Sequence, residues 1–159
     1  MNKEMIQAFT ARIAQASRSE LIVILYEMAL AEIAEAKKAY EAGDLATFDR
    51  VLKKSHKYIN ELIVALDYNY AISYDLLSLY LYVNKRIITA IIRRKPDTLD
   101  SAESVLKKLL VGFEGVSRID KSGPVMRNTH QLYAGLTYGR GKLNEIDIDP
   151  SNGNRGFIA

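Results

Sequence analysis

The 159-residue chain contains no cysteine and no tryptophan, and it has only two histidines. Without cysteine there is no disulfide framework, zinc–thiolate site, iron–sulfur cluster or cysteine nucleophile. His56 has no acidic residue three positions before it, so the Glu-x-x-His pair of di-iron helical bundles is absent, and His130 falls near the C-terminal end. We expect both histidines to be solvated side chains, and we predict no metal site and no cofactor.

The chain also lacks a long run of one charge and a long apolar run. Its net charge is only +3, with acidic residues between the basic ones. A nucleic-acid-binding domain needs basic residues concentrated on one face, so this class is disfavoured. The longest apolar stretch, "LIVILYEMALAEIAEA", is interrupted by Glu27, Glu32 and Glu35, which argues against a membrane span, and the first residues lack the apolar core of a signal peptide. These patterns predict a cytoplasmic protein.

Helical periodicity is the main pattern that is present, and no strand pattern competes with it. Ser17 and Glu20 form a capping box at a helix start, Gly43 is a stop signal, and Asp44 can cap the next helix. Pro96 and Asp97 mark a further helix start. The pattern predicts a short N-terminal helix and four longer ones, over residues 2–15, 18–41, 44–66, 71–94 and 96–115.

These segments predict an all-α fold, an antiparallel up-down four-helix bundle with short connections. We divide the chain into an N-terminal capping segment (1–16), the bundle (17–117) and a tail (118–159). The tail holds six of the nine glycines and two of the three prolines, so we expect it to be extended and partly disordered.

The 71–94 helix is apolar on more of its circumference than one bundle interior can cover. One row of apolar residues follows the expected core stripe, and a second row lies roughly 100° further round. The first row is Ile72, Leu76, Leu79, Val83, Ile87 and Ala90, and the second row is Tyr74, Leu77, Leu81, Ile88 and Ile91. Four alternatives remain for what covers the surplus apolar surface of this helix: the N-terminal segment, the tail, a second copy of the chain, or a foreign chain. The second row is equally compatible with ordinary core packing under the N-terminal helix.

Catalytic patterns are not found. The acidic pairs Glu32–Glu35 and Asp100–Glu103 stand at helical spacing and are interpreted as solvated faces. "YGRGKLNE" has the wrong spacing for a phosphate-binding loop and follows no strand. The sequence therefore gives no basis for an enzyme.

Two stretches carry a resemblance to a known family. "ASRSELIVILYEMALAEIAEAKKAYEAGD" (16–44) and "INELIVALDYNYAISYDLLSLYLYV" (59–83) resemble the FliS family of flagellin-specific export chaperones. The similarity covers roughly residues 8 to 116. Arg18 and Ser19 depart from the family's usual proline and glutamate, Glu27-Met28 stand at its Asp-Gly, and Phe9 falls near its N-terminal tyrosine.

The resemblance implies a bundle that holds the C-terminal segment of flagellin in the cytoplasm, prevents premature polymerisation and delivers flagellin to the export apparatus. A hydrophobic groove would then bind an amphipathic helix of the client. We predict that the second row forms this groove, helped by Tyr58 and Leu62 from the 44–66 helix, and we interpret Tyr26 and Tyr80 as core residues. The N-terminal segment, through Ile6, Phe9 and Ile13, is predicted to cover part of the groove until the client displaces it.

The main alternative is a self-associating bundle in which the same rows form a homodimer interface and no client exists. The chaperone interpretation predicts a monomer or a weak homodimer. For the tail, "HQLYAGLTYGRGKLNEI" is either a segment that lies on the bundle, a site for a second partner, or a disordered extension.

Overall fold

The computed structural model describes residues 1–126, and these residues form five α-helices without a strand. The helices are α1 (Lys3–Gln15), α2 (Arg18–Glu41), α3 (Leu45–Val64), α4 (Ile72–Arg93) and α5 (Leu99–Ile119). The predicted all-helical class is confirmed. The predictions for the tail beyond residue 126, including that for His130, lie outside the described residues.

The predicted helix signals act as expected at the start of α2 and α3. The Ser17 side chain accepts from the backbone N–H of Glu20, and the Glu20 carboxylate accepts from the Ser17 N–H at 2.8 Å. Asp44 accepts from the Thr47 N–H at 2.9 Å, which satisfies one of the free donors at the start of α3. Gly43 has a φ of 75°, in the left-handed region that glycine tolerates best, and so ends α2 cleanly.

α5 is longer than the sequence predicted. The expected stop at Gly115 is wrong, because α5 continues to Ile119. The division of the chain at Ser117 stays a prediction, and that residue lies inside α5. A single helical glycine costs about 1 kcal/mol relative to alanine. Leu106, Leu109 and Phe113, which pack in or against the core, offset that cost.

α2 to α5, which we call the helical core, pack around one apolar interior. α2 packs against α3 and α5, and α4 packs against the same two helices. Near the end of α2, the Lys37 ammonium lies 2.6 Å from the Asp100 carboxylate at the start of α5. At the other end, Ser19 of α2 hydrogen-bonds Asp120 just after α5. α2 and α5 therefore run in opposite directions.

The centre of this interior is a pair of tyrosines. Tyr26 of α2 and Tyr80 of α4 are both buried, as predicted, and their hydroxyl groups share a hydrogen bond across the core. The Phe113 ring of α5 lies 5.5 Å from the Tyr26 ring, centroid to centroid. Burial raises the pKa of both phenols, so each hydroxyl remains protonated and able to donate.

The tyrosine pair gives a stability test. Tyr80→Phe should lower the free energy of unfolding by about 1–3 kcal/mol, because it leaves the buried Tyr26 hydroxyl without a partner. The double variant Tyr26→Phe/Tyr80→Phe should recover much of that loss, because no orphaned hydroxyl remains. Urea unfolding of the unchanged chain, the two single variants Tyr26→Phe and Tyr80→Phe, and the double variant measures both effects. A double variant as unstable as the sum of the single losses would contradict the shared hydrogen bond.

Candidate functional site

Three residues of the predicted second row form an exposed apolar stripe on α4. Tyr74, Leu81 and Ile88 follow one another at seven-residue spacing, with 58%, 55% and 40% of their surfaces exposed. Leu77 and Ile91 lie in the same row but are half-buried, and Ile91 packs against the core. The stripe from Tyr74 to Ile88 is about 21 Å long, at 1.5 Å per residue. It matches the length of a docked helix of about four turns.

The stripe lies on the side of α4 that faces α3. Asn84, which lies between Leu81 and Ile88 along the same side of the helix, hydrogen-bonds both Asn60 and His56 of α3, at 2.8 and 2.9 Å. Asn60 also contacts the second ring nitrogen of His56 at 3.2 Å, which closes a ring of three side chains. The expectation of a solvated His56 is therefore wrong, because the imidazole joins α3 to α4.

Tyr68, in the connection between α3 and α4, extends the apolar stripe at its N-terminal end. Its ring lies 5.4 Å from the ring of Tyr74, and the two residues are 46% and 58% exposed. Two adjacent exposed tyrosines provide contact area to a partner while their hydroxyl groups remain hydrated.

The two site residues predicted on α3 are not part of this stripe. Leu62 is only 2% exposed and belongs to the core. Tyr58 is half-buried and lies beside Glu32 of α2, on the other side of α3. Burial and the negative charge of Glu32 raise the pKa of the Tyr58 phenol. Any contact between Tyr58 and a partner would therefore be made on the α2 side of the molecule.

An apolar cavity lies on the other flank of α4 and was not predicted. It has a volume of about 480 Å³ and opens where the end of α3, the start of α4 and the second half of α5 meet. Its apolar lining includes Leu62, Leu66, Leu76, Tyr80, Leu109 and Phe113. Ile72 and Leu79, placed by the sequence in the core row, are exposed on this flank, so the core axis of α4 runs through Tyr80 instead.

α1 lies across the outer face of α2. No residue of α1 is buried; Phe9 and Ile13 are half-buried and Ile6 is exposed. Arg12 of α1 pairs with Glu27 of α2. Beneath α1, Val23 and Ile24 of α2 are buried although they do not belong to the core cluster. Ile24 lies about 140° around α2 from the core residue Ala29, which places it on the outer face. The contacts of α1 are thus with α2, and its covering of the second row stays a prediction.

Glu32, which the sequence analysis placed on a solvated face with Glu35, is fully buried. Its carboxylate lies 3.6 Å from the amino group of Met1 and 3.8 Å from the ammonium of Lys54. Among the described residues, neither carboxylate oxygen accepts a hydrogen bond. The spacing of Glu32 from Ala29, Ile33 and Ala36 on α2 was the one signal in the sequence that indicated an inward position.

No helix within residues 1–126 is long and apolar enough to cross a membrane. The same residues contain no group of three or more metal-ligating side chains. What this part of the chain offers is apolar contact area and one buried carboxylate, which together suit the binding of another polypeptide.

A comparison with protein-family models identifies the family. The model described as the flagellar protein FliS matches residues 1–134 of the chain. The chain belongs to the FliS family. The match takes in α1 and extends past α5, so it is longer than the stretch that carried the resemblance. A search of curated proteins found no match. Because FliS proteins are flagellin export chaperones, membership implies a chaperone role in flagellum biogenesis.

The partition between exposed and buried leucines can be tested directly. Leu62→Ala should lower the free energy of unfolding by about 2–5 kcal/mol, because it opens a cavity in the core. Leu81→Ala should change it by no more than about 0.5 kcal/mol, because more than half of the surface of Leu81 is already exposed to water. Urea unfolding of both variants decides the matter, and a cost for Leu81→Ala close to that of Leu62→Ala would contradict an exposed stripe.

Proposed function

We propose that the chain binds the C-terminal segment of flagellin in the cytoplasm, keeps it from polymerising prematurely and delivers it for export. The observation that carries this proposal is the exposed part of the second row on α4, the stripe of Tyr74, Leu81 and Ile88, in a chain of the FliS family. Contiguous exposed apolar surface marks an interaction site, since a soluble protein otherwise covers it.

The client in this proposal is an amphipathic helix. Apolar residues at seven-residue spacing on α4 match a helix that presents its own apolar face, because both then share the same repeat along the contact. The client segment folds as it binds, so the cost of ordering it reduces the affinity that the contact area would otherwise give.

α1 is the proposed competitor of the client. A helix that buries none of its own residues has low local stability, and its removal exposes Val23 and Ile24 on α2. A client that continues from the α4 stripe around the molecule would gain this second apolar face. α1 would protect the face while no client is bound, which limits self-association.

We also infer that α2 to α5 form an antiparallel up-down bundle. The opposite directions of α2 and α5 and the short connections, residues 42–44, 65–71 and 94–98, support this arrangement. The chain alone is proposed to be a monomer or a weak homodimer without catalytic activity, and the export apparatus is a further proposed partner.

Binding to flagellin tests the proposal. Titration calorimetry of the chain against a C-terminal flagellin fragment from the same organism should show one-to-one binding with a large negative heat-capacity change, because apolar surface is buried. Leu81→Asp should weaken binding at least about tenfold, or about 1.4 kcal/mol, because it places a charge in the apolar contact.

Val111→Asp is the matched control, since Val111 is 70% exposed on α5 and lies outside both the second row and the apolar cavity between α3, α4 and α5. It should bind as the unchanged chain does. No heat and no complex at high micromolar concentration would overturn the proposal. Sedimentation showing a tight dimer that Leu81→Asp dissociates would then assign the second row to self-association.

A further inference from the structure

Glu32 is a charged group in a place where burial is costly. Removing a carboxylate from water is repaid only when charged partners and hydrogen bonds replace its hydration. In the described residues, the Glu32 carboxylate has two cations nearby but accepts no hydrogen bond from either, since both lie at 3.6–3.8 Å. A charge-assisted hydrogen bond has a length of about 2.7–2.9 Å. The carboxylate is therefore incompletely paired.

The position of Glu32 connects this charge to α1. The Met1 amino group reaches Glu32 from the start of α1, and Lys54 and Tyr58 reach it from α3. The Met1 side chain is only 3% exposed, so the N-terminal residue is packed against the rest of the chain next to the carboxylate. Lys54 is the more distant of the two cations, and its side chain is 42% exposed and so lies partly in water. When α1 leaves α2, the closer of the two cations leaves with it.

We propose that Glu32 is a receptor for a basic side chain of the bound client, which takes the place held here by the Met1 amino group. This inference rests on the proposed function, in which the client displaces α1 from α2. A lysine or arginine of the client can approach to hydrogen-bond distance and donate to both free carboxylate oxygens, as a guanidinium does in a bidentate pair. The apolar stripe on α4 then supplies contact area, and Glu32 fixes the register of the client.

A double-mutant cycle tests the receptor. Each lysine and arginine of the flagellin fragment is replaced by methionine, which keeps a similar stem and removes the charge. Each fragment is titrated against the unchanged chain, Glu32→Gln and the control Glu35→Gln. Glu35 is on the same helix but half-exposed, and within the described residues it has no ion pair. The effect of Glu32→Gln on α1 cancels, because each comparison between fragments is made within one chain.

We expect one basic residue of the fragment to matter. Its replacement should weaken the binding of the fragment to the unchanged chain and to Glu35→Gln at least about tenfold, or by about 1.4 kcal/mol. The same replacement should change binding to Glu32→Gln less than about twofold, since the partner charge is already absent. Thermal unfolding checks that Glu32→Gln is folded, and Glu32→Met, of similar volume, replaces it in the cycle if it is not.

If every fragment variant loses the same affinity for all three chains, the proposal that Glu32 is a receptor is overturned, and the chaperone proposal remains in place. Failure of the unchanged chain to bind the unmodified fragment would instead overturn the proposed function, and the receptor with it. The two failures are therefore distinguishable in one series of titrations.

Discussion

The amount of apolar surface on α4 is the constraint on which the rest of this structure depends. α4 packs against two neighbouring helices, α3 and α5, and has one interior face, on which it buries Leu76, Tyr80, Val83 and Ile87. Its remaining apolar side chains are left on two flanks. On the α3 flank they form an exposed stripe, and on the α5 flank they border a cavity of about 480 Å³. Surface of this kind is a liability in isolation and an advantage in a protein that binds unfolded clients.

Hydrogen bonds between polar side chains also join the helices. The Tyr26–Tyr80 hydrogen bond links α2 to α4, and the ring of His56, Asn60 and Asn84 links α3 to α4 directly beneath the exposed stripe. Hydrogen-bonded polar groups that are buried or half-buried favour one arrangement of the helices over others. The hydrogen bonds between α3 and α4 hold the exposed stripe on α4 in a fixed position relative to α3.

Local signals in the sequence predicted local structure well. The Ser17–Glu20 capping box, the Asp44 cap and the glycine stop at Gly43 depend on neighbours within three or four residues, and each was found as expected. The end of α5 was not predicted, because packing around Leu106 and Phe113 outweighs the weak helix propensity of Gly115. Periodicity identified the second row, but it wrongly placed Ile72 and Leu79 in the core. The spacing of apolar residues shows which of them share a side of the helix, but it does not show which side faces the interior.

Long-range pairing was beyond the sequence patterns. His56 and Glu32 are residue types that usually lie at the surface, and both contact partners distant in the chain. Half-buried His56 hydrogen-bonds Asn84, and fully buried Glu32 lies near Met1 and Lys54. The apolar cavity was likewise not predicted, because it is formed where three helices, α3, α4 and α5, meet. Such features depend on the packing of whole helices and leave no repeat for sequence analysis to detect.

The central claim is that the α4 stripe and the face of α2 under α1 are both client surfaces. Hydrogen–deuterium exchange of the chain, with and without a C-terminal flagellin fragment, measures both at once. The account predicts that amides of residues 74–91 and 20–28 become more protected on binding, while those of residues 3–15 become less protected. Unchanged exchange in residues 74–91, or α1 amides that stay protected in the complex, would contradict it.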